Sequence, residues 1–416
     1  MNLEWNKTST EDGPDKADHK VEQKAEQGDN PQSQEPTRKR RRRRRRRGKS
    51  GNGEGRAADA NTQQSATPKQ NHHNQKQNNQ QVTQKLVETY GAIDLGTNNC
   101  RLLVAKPTPR GFRVVDAFSR VVRLGEGVAQ TGMLSDDAMD RTLEALKVCA
   151  DKLDRRNVKL TRNVATEACR VADNVDMFID RIKRETGIEM DVISAAEEAR
   201  LAVMGCQSLI ASSNRHALVF DIGGGSTELI WVKVLRRGYM EIQGWTSIPW
   251  GVVNLTETIN AGGGQVTPDI YQEMMAMVED HLVAFEQAHN IEETVQKRRV
   301  QFLGTSGTVT TLASLHLKLP RYNRARVDGA WMASKDIKDL SKAVALMTPA
   351  EREEQPCIGA ERADLVVAGC AILDAILGKW SVRSLRVADR GIREGILRGL
   401  MKTDKEPRTA AGVDMS

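Results

Sequence analysis

Residues 90–104, YGAIDLGTNNCRLLV, and residues 218–232, LVFDIGGGSTELIWV, share one pattern, and this pattern decides the fold. In each stretch an apolar strand ends in an aspartate, a glycine turn with short polar side chains follows, and a second strand begins. Asp94 and Asp221 hold equivalent positions in the two copies. An internal repeat indicates that the chain builds a similar unit twice. We therefore predict two similar lobes, at residues 86–211 and 212–403, with their turns facing one cleft.

The sequence around the repeat is typical of an α/β protein. Short apolar strands alternate with amphipathic helices from near residue 82 to near residue 401, and such alternation favours helices layered on sheets. Residues 135–153 carry apolar side chains at helical spacing, and a second helix is expected at residues 195–205. Residues 404–416 are expected to form a flexible C-terminus.

The N-terminal segment differs from the rest of the chain in composition and charge. The protein has 62 Lys and Arg against 55 Asp and Glu, a formal net charge of +7, and residues 1–88 hold the whole excess with 19 basic and 12 acidic residues. Residues 1–85 have too few apolar side chains to offset the entropy of ordering, so we predict a disordered tail that ends in a Gln- and Asn-rich linker. Its ten consecutive cations, Arg38 to Arg47, suit RNA, DNA or another polyanion through phosphate contacts without sequence specificity. A solvated charge block without a ligand is the alternative.

Several classes of protein are excluded by what the sequence lacks. No apolar run approaches the ~18 residues that a membrane helix needs, and the first residues lack the apolar core of an export signal. The six cysteines include no CxxC pair, which argues against a zinc ribbon or a disulfide framework. We therefore expect a cytoplasmic protein with free thiols and no membrane partner.

The chemistry of the glycine turns points to phosphate and metal binding. An aspartate at a strand end offers a hard oxygen ligand to Mg²⁺, and glycines let backbone N–H groups approach anionic oxygens. A third glycine turn, at residues 303–309, follows a predicted strand and opens a helix, whose N-terminus favours anions. One such turn alone also fits a tight hairpin with a structural aspartate, but three in one chain favour phosphate.

Candidate ligands follow from these turns. Arg101 lies on the second strand of the first hairpin, and Glu228 lies on the second strand of the second hairpin. A charge on an otherwise apolar strand needs a partner, so Glu228 either helps to hold a metal or pairs with a neighbouring cation. The metal-binding candidates are Asp94, Asp221 and Glu228. The phosphate-binding candidates are Gly96, Thr97, Asn98, Arg101, Gly223, Gly224, Gly225, Ser226, Gly304, Thr305, Ser306 and Gly307.

Two further charged residues are candidates for catalysis. Ser194 and Glu197 have the spacing of a capping box at the start of the predicted helix, which leaves Glu198, about 100° further around the axis, free to take a proton from a water molecule. Arg170 follows a short strand and has the planar fork that clamps a phosphoryl oxygen. A surface position for Glu198 and a surface ion pair for Arg170 are the alternatives.

Together these motifs resemble the exopolyphosphatase/guanosine pentaphosphate phosphohydrolase (Ppx/GppA) family. The resemblance covers about residues 88–400 and rests on several motifs in order. They lie at residues 92–98, 193–201, 220–228, 249–257, 304–308, 361–364 and 389–394. It implies two ribonuclease H-like lobes of the actin-like ATPase superfamily around a central cleft, and Mg²⁺-assisted hydrolysis of a terminal phosphoanhydride in inorganic polyphosphate or guanosine pentaphosphate.

Residue roles carried over from the family agree with the candidates above. The resemblance implies that Glu198 is the catalytic glutamate, that Arg170 contacts phosphate, and that Asp221 and Glu228 position metal and water. Asn99 stands where the family commonly has serine, so the resemblance does not establish the hydroxyl contact expected at this position. The chain lacks the C-terminal helical extension that longer members use to handle long polymers, and a homodimer, common in the family, remains open.

Two other functions are compatible with the sequence. The first is an ATP-dependent kinase or ATPase of the same superfamily, although the helix with Glu198 matches the phosphohydrolases. The second is an RNA- or polyphosphate-binding protein in which the Arg38–Arg47 run binds the ligand and the core is vestigial. The sequence also leaves the substrate and its chain length open, because the discriminating contacts lie in the cleft walls, around residues 321–326.

Overall fold

The structure, a computed structural model, describes residues 88–109, 111–236, 239–260 and 264–404. The predictions of a disordered tail, a polyanion-binding Arg run and a flexible end beyond residue 404 lie outside these residues. Two sheets organise the described part, and the helices pack around and between them.

The first sheet is mixed and has the strand order β3-β2-β1-β4-β5. Its strands are β1 (Tyr90–Leu95), β2 (Asn99–Thr108), β3 (Gly111–Val121), β4 (Leu160–Ala165) and β5 (Asp191–Val192). Its helices are α1 (Val128–Thr131), α2 (Asp136–Arg155), α3 (Glu167–Val171) and α4 (Val175–Thr186). The predicted helix at residues 135–153 is confirmed as α2, because the side chain of Ser135 caps it and Met139, Leu143 and Leu146 are buried along one face.

The second sheet repeats the plan of the first and has the order β10-β11-β9-β6-β7-β8. Before it, the chain forms α5 (Ala195–Cys206) and a short 3-10 turn, Gln207–Leu209. The strands are β6 (His216–Ile222), β7 (Thr227–Val234), β8 (Met240–Ile248), β9 (Val300–Thr305), β10 (Trp331–Ala333) and β11 (Ser384–Ala388). The helices are α6 (Val252–Ile259), α7 (Pro268–His289), α8 (Ile291–Gln296), α9 (Gly307–His316), α10 (Arg324–Val327), α11 (Ser334–Leu346), α12 (Pro349–Glu353), α13 (Val366–Lys379) and α14 (Ile392–Thr403).

Strand register confirms the internal repeat. In each sheet the first strand pairs antiparallel with the second and parallel with a later strand, β4 or β9. Asp94 lies opposite Arg101, and Asp221 lies opposite Glu228. Each hairpin therefore places two charged side chains opposite each other near its turn, and the two pairs hold equivalent positions in the two lobes.

Helix α14 does not follow the predicted lobe boundary. The boundary at residue 403 assigns it to the second lobe, but Ile392, Ile396, Leu397 and Met401 are buried together with strands β1 and β2 of the first sheet. Helix α5 packs Ala199, Val203 and Cys206 against the second sheet instead. The chain therefore crosses between the lobes twice. The periodicity of a strand or helix is a local signal, so it cannot show which lobe the element packs against.

Glycines allow α5 and α14 to pack at very short range. A Cβ atom on Gly205 would lie 2.0 Å from the carbonyl oxygen of Gly391, and one on Gly395 would lie 2.2 Å from that of Leu201. Because Glu198 lies in the first turn of α5, this packing ties its position to the start of α14. No helix in the described ranges is long and apolar enough to cross a membrane.

Candidate active site

The first two glycine turns meet directly across the cleft. A Cβ atom on Gly224 would lie 2.8 Å from Cβ of Thr97, and one on Gly225 would lie 2.9 Å from its Oγ1. Real Cβ atoms do not approach this closely, so glycine at both positions is what allows the contact. The turns of the two lobes thus form opposite walls of one pocket.

This pocket contains most of the residues predicted from the sequence. The predicted residues that line it are Asp94, Gly96, Thr97, Asn98, Arg101, Glu198, Asp221, Gly223, Gly224, Gly225, Ser226, Glu228, Ser306 and Gly307. Three predicted residues, Arg170, Gly304 and Thr305, are not part of the lining. The structure therefore brings all three turns together at one place.

The third turn contributes fewer groups than predicted. Gly304 lies within β9, and a Cβ atom there would be 2.8 Å from the ring of Phe220. Glycine at this position therefore makes room for the Phe220 ring. The Thr305 hydroxyl donates to the carbonyl oxygen of Arg390 at 2.8 Å. Of the four residues predicted from this turn, Ser306 and Gly307 at the start of α9 line the pocket, because Gly304 and Thr305 still belong to the strand.

Arg170 lies behind Glu198. Its Nη1 donates to Oε2 of Glu198 at 2.7 Å and to the carbonyl oxygen of Ile193 at 3.0 Å. Its Nε and Nη2 donate to Oε2 of Glu167, at 3.0 Å and 2.5 Å. The structure thus gives this guanidinium two carboxylate partners, where the sequence predicted a phosphate clamp. In this position Arg170 fixes the direction of the Glu198 side chain.

The helix start at α5 also differs from the prediction. The Ser194 hydroxyl accepts from the backbone N–H of Glu197, as a cap does. The Glu197 carboxylate does not complete the capping box, because it pairs with Arg162 at 2.8 Å and with Arg200 at 2.6 Å. Two guanidinium groups are stronger partners for a carboxylate than one backbone N–H.

Glu198 is a buried pocket residue, with 8% of its surface exposed. Burial is the main cause that raises its pKa to about 8, the negative charge of Glu228 acts in the same direction, and Arg170 opposes the shift. The alternative of a free surface glutamate is thereby excluded. A carboxyl group whose pKa lies near neutral pH can both accept and release a proton there, as a general base requires.

The other acidic residues of the pocket are perturbed in the same direction. Burial, together with the charge of Glu198, raises the pKa of Asp221 to about 7, although Arg101 opposes this shift. Burial also raises the pKa of Glu228 to about 7, against hydrogen bonds from Ser226 at 2.6 Å and Ser247 at 3.0 Å. Four carboxyl groups line this one pocket, with Glu198 and Glu228 buried and Asp94 and Asp221 half-buried, and together they create a strong demand for cationic partners.

The pocket fits a divalent cation only in part. Within the described ranges, no three His, Cys, Asp or Glu side chains form a group that could hold a metal ion by themselves. Asp94, Asp221 and Glu228 are therefore not a preformed metal cage. Two buried acceptors, Oδ1 of Asn98 and Oδ1 of Asn99, have no hydrogen-bond partner. Mg²⁺ commonly takes one or two carboxylates and completes its shell with water and substrate phosphates, and this donor set fits that arrangement.

Several lining residues were not among the sequence candidates. Arg362, Thr166, Glu167, Thr308 and Thr311 all line the pocket. Arg362 approaches the start of α9, with Nη1 3.9 Å from the Cβ position of Gly307, and burial together with the charge of Arg101 lowers its pKa. The only signal for Arg362 in the sequence was its place in the motif at residues 361–364, which carried no role by itself.

Two matching α/β sheets around one glycine-lined, acidic pocket define a two-lobed protein of the actin-like ATPase class, as expected from the sequence. The chain belongs to the Ppx/GppA phosphatase family, whose family model matches residues 103–404. The resemblance found in the motifs is thereby confirmed.

Relatives and solved structures agree with this assignment. The chain is 29% identical over 312 residues to the guanosine-5'-triphosphate,3'-diphosphate pyrophosphatase of Aliivibrio fischeri (strain MJ11), covering 75% of this chain and 59% of the relative. A similar protein of Photobacterium profundum, with the same description, is 27% identical over 344 residues, covering 78% of this chain and 62% of the relative. The chain thus spans about three fifths of the length of these relatives.

Solved structures of the family match over nearly their whole length. The Aquifex aeolicus family member has a TM-score of 0.62 and 28% identity, covering 76% of this chain and 99% of that chain. An exopolyphosphatase from Cytophaga hutchinsonii ATCC 33406 has a TM-score of 0.68 and 28% identity, covering 76% of this chain and 98% of that chain.

Proposed function

We propose that this protein is a phosphoanhydride hydrolase that releases the terminal phosphate of inorganic polyphosphate or guanosine pentaphosphate with the help of Mg²⁺. The observation that carries the proposal is the single pocket in which three glycine turns surround Glu198, a buried carboxyl group held by Arg170. The similarity to a pyrophosphatase of Aliivibrio fischeri and to an exopolyphosphatase of Cytophaga hutchinsonii supports the same chemistry.

Charge on the phosphoryl oxygens is the main obstacle in this reaction, and its stabilisation is the dominant catalytic effect. The N–H of Gly96 itself donates to the carbonyl oxygen of Asn99 at 2.9 Å, so backbone N–H groups later in that turn, together with those at Gly224 and Gly307, would bind the terminal phosphate. Arg101 and Arg362 add positive charge to the same pocket. When bound, Mg²⁺ would neutralise phosphate charge from the side of Asp94, Asp221 and Glu228. The glycine turns also keep side chains away from the space that the phosphate needs.

Glu198 would orient the attacking water and take one of its protons. The water oxygen bonds to the terminal phosphorus, the bond from phosphorus to the bridging oxygen breaks, and the shortened polyphosphate or nucleotide leaves. Arg170 keeps the Glu198 carboxylate aimed at the pocket, and the backing by Glu167 keeps Arg170 in place. This assignment makes Arg170 a positioning residue.

Rates on three substrates, measured side by side with Mg²⁺, test the proposal. The full chain is supplied with tripolyphosphate, long-chain polyphosphate and guanosine pentaphosphate, and free phosphate is measured. We expect release from at least one of them without ATP, and loss of release when EDTA removes the metal. A protein that releases phosphate only from ATP, or only while phosphorylating an acceptor, would instead be the kinase or ATPase of the same superfamily.

The Arg38–Arg47 run is proposed to bind polyanions, polyphosphate or RNA, outside the catalytic core. Ten consecutive cations on a chain whose residues 89–416 carry no net charge support this, since neutralised phosphates release counterions. A cytoplasmic location and a homodimer are part of the same proposal. Size-exclusion chromatography with light scattering measures the oligomeric state directly.

A further inference from the structure

One segment of the first lobe contacts both the first glycine turn and two parts of the second lobe. Residues 122–127, here called the strap, follow β3 and precede α1. The carbonyl oxygen of Asn98 accepts from the backbone N–H groups of Val122 and Arg123, at 2.9 Å and 3.1 Å, and that of Thr97 accepts from Gly125 at 2.8 Å. The strap therefore holds the first glycine turn by its backbone.

The side chain of Arg123 reaches from the strap to the second lobe. Its Nη1 donates to Oδ2 of Asp364 at 2.9 Å, and its Nη2 donates to Oδ1 of Asp364 at 3.3 Å and to the carbonyl oxygen of Glu361 at 3.4 Å. Arg362, which lines the pocket, lies between these two contacts in sequence. Ala363 and Val366 are buried in the core of the second lobe, so this contact joins the two lobes.

A second contact of the strap crosses the cleft in the same direction. The backbone N–H of Gly127 donates to Oε1 of Glu257, on helix α6, at 3.1 Å. Arg123 itself has a left-handed backbone, with φ 48°, a conformation that side chains other than glycine seldom adopt. A strained residue with a bidentate partner across a cleft indicates that its position is set by that partner.

We propose that Arg123 is a positioning residue that closes the cleft. Its pairing with Asp364 would keep the first glycine turn and Arg362 at the distance from each other that substrate binding requires. The proposal rests on the proposed function for the substrate used in its test. The Arg123 and Asp364 side chains are about one third exposed, 32% and 35%, so the pair is weak enough to break when substrate enters or product leaves. When the pair is removed, the closed population falls, and apparent affinity falls by the same factor.

The test uses full-length variants and two readouts. Asp364→Asn removes the charge with little change of shape, and Arg123→Asn removes the other partner with a residue that tolerates a left-handed backbone. Asp140→Asn is the matched control, because Asp140 pairs with Arg181 at 2.7 Å within the first lobe. Thermal unfolding verifies that each variant is folded. The readouts are KM and kcat for tripolyphosphate with Mg²⁺, and the radius of gyration of the free protein from small-angle X-ray scattering.

We expect both single variants to raise KM about fivefold, which corresponds to ~1 kcal/mol, with kcat within about twofold of the wild type. We also expect a larger radius of gyration than in the wild type and in Asp140→Asn. The reversed pair, Arg123→Asp with Asp364→Arg, should return KM toward the wild-type value. Wild-type KM and radius in both single variants would overturn the proposal, as would a reversed pair no better than the single variants.

The outcome separates this proposal from the proposed function. If the wild type hydrolyses none of the three substrates, the proposed function fails, while the scattering comparison still decides whether Arg123 and Asp364 close the cleft. If hydrolysis is present and neither KM nor the radius responds, the proposed function stands and the role of Arg123 is wrong.

Discussion

Replacing Glu198 by glutamine should make the protein inactive and more stable at the same time. The glutamine keeps the shape of the side chain and an oxygen that accepts from Arg170, so substrate binding is retained. It cannot take a proton from water, so we expect kcat to fall about 10²-fold or more, the usual contribution of a general base.

The gain in stability follows from the pKa of Glu198. Burial raises it from 4.5 to about 8, so the stability linked to this group is complete below pH 4.5 and is lost as the pH rises toward 8. At pH 7 the loss is at most about 3 kcal/mol, at ~1.4 kcal/mol for each pH unit above 4.5. Glutamine does not ionise and avoids this loss, although Arg170 then has one charged partner fewer.

The assay measures phosphate release and thermal unfolding of the same samples. We expect Glu198→Gln to lower kcat with Mg²⁺ while KM changes little, and to raise Tm at pH 8 more than at pH 5. The neighbouring Glu197→Gln is the control. Its pKa is lowered in the folded protein, against burial, by Arg200 and Arg162, so this variant should be active and less stable at pH 7. Near-normal turnover of Glu198→Gln would remove it from the catalytic role, and a lower Tm at pH 8 would refute the burial argument.

Other variants test the surrounding contacts. Glu228→Gln should raise Tm at pH 8, because the pKa of Glu228 is raised to about 7, and should lower turnover; an unchanged Tm between pH 5 and 8 argues against the burial effect. Arg170→Gln should shift the rising limb of kcat to higher pH, because Arg170 lowers the pKa of Glu198; an unmoved pH profile contradicts its positioning role. Gly224→Ala should lower kcat/KM about 10-fold or more, since the new Cβ would meet Thr97 at 2.8 Å and shift a turn that we propose binds phosphate; full activity would show that the turns need no such contact. Deletion of residues 1–85 should abolish salt-dependent binding of long polyphosphate but not hydrolysis of tripolyphosphate, and loss of both would place the tail in catalysis.

The repeat was predictable because its signal is local. A strand, an aspartate and a glycine turn leave a pattern within 15 residues, and both copies fold as antiparallel hairpins in matching registers. The glycines of the turns were predicted from residue type alone. The structure gives the physical reason for Gly224, because a larger residue there would collide with Thr97. The helix at residues 135–153 was equally local.

Partners of charged side chains were not predictable, because a partner depends on which distant residue is nearest. Glu197 was expected to cap a helix and pairs with Arg162 and Arg200 instead. Arg170 was expected to meet phosphate and meets Glu198 and Glu167. Arg362 gave no usable signal, since it reaches the pocket only through the fold of residues 354–365.

From the amino-acid order alone came the α/β class, the doubled hairpin and the acidic and glycine residues proposed to bind phosphate and metal, because short-range spacing encodes each of these. The tertiary structure alone decided which lobe α14 packs against and how α5 and α14 cross between the sheets. It alone also decided how far the pKa values of Glu198, Asp221 and Glu228 are raised. The physical reason is that burial and charge–charge interaction depend on distances through space, and residues 94, 198, 221 and 228 become neighbours only when both lobes are assembled.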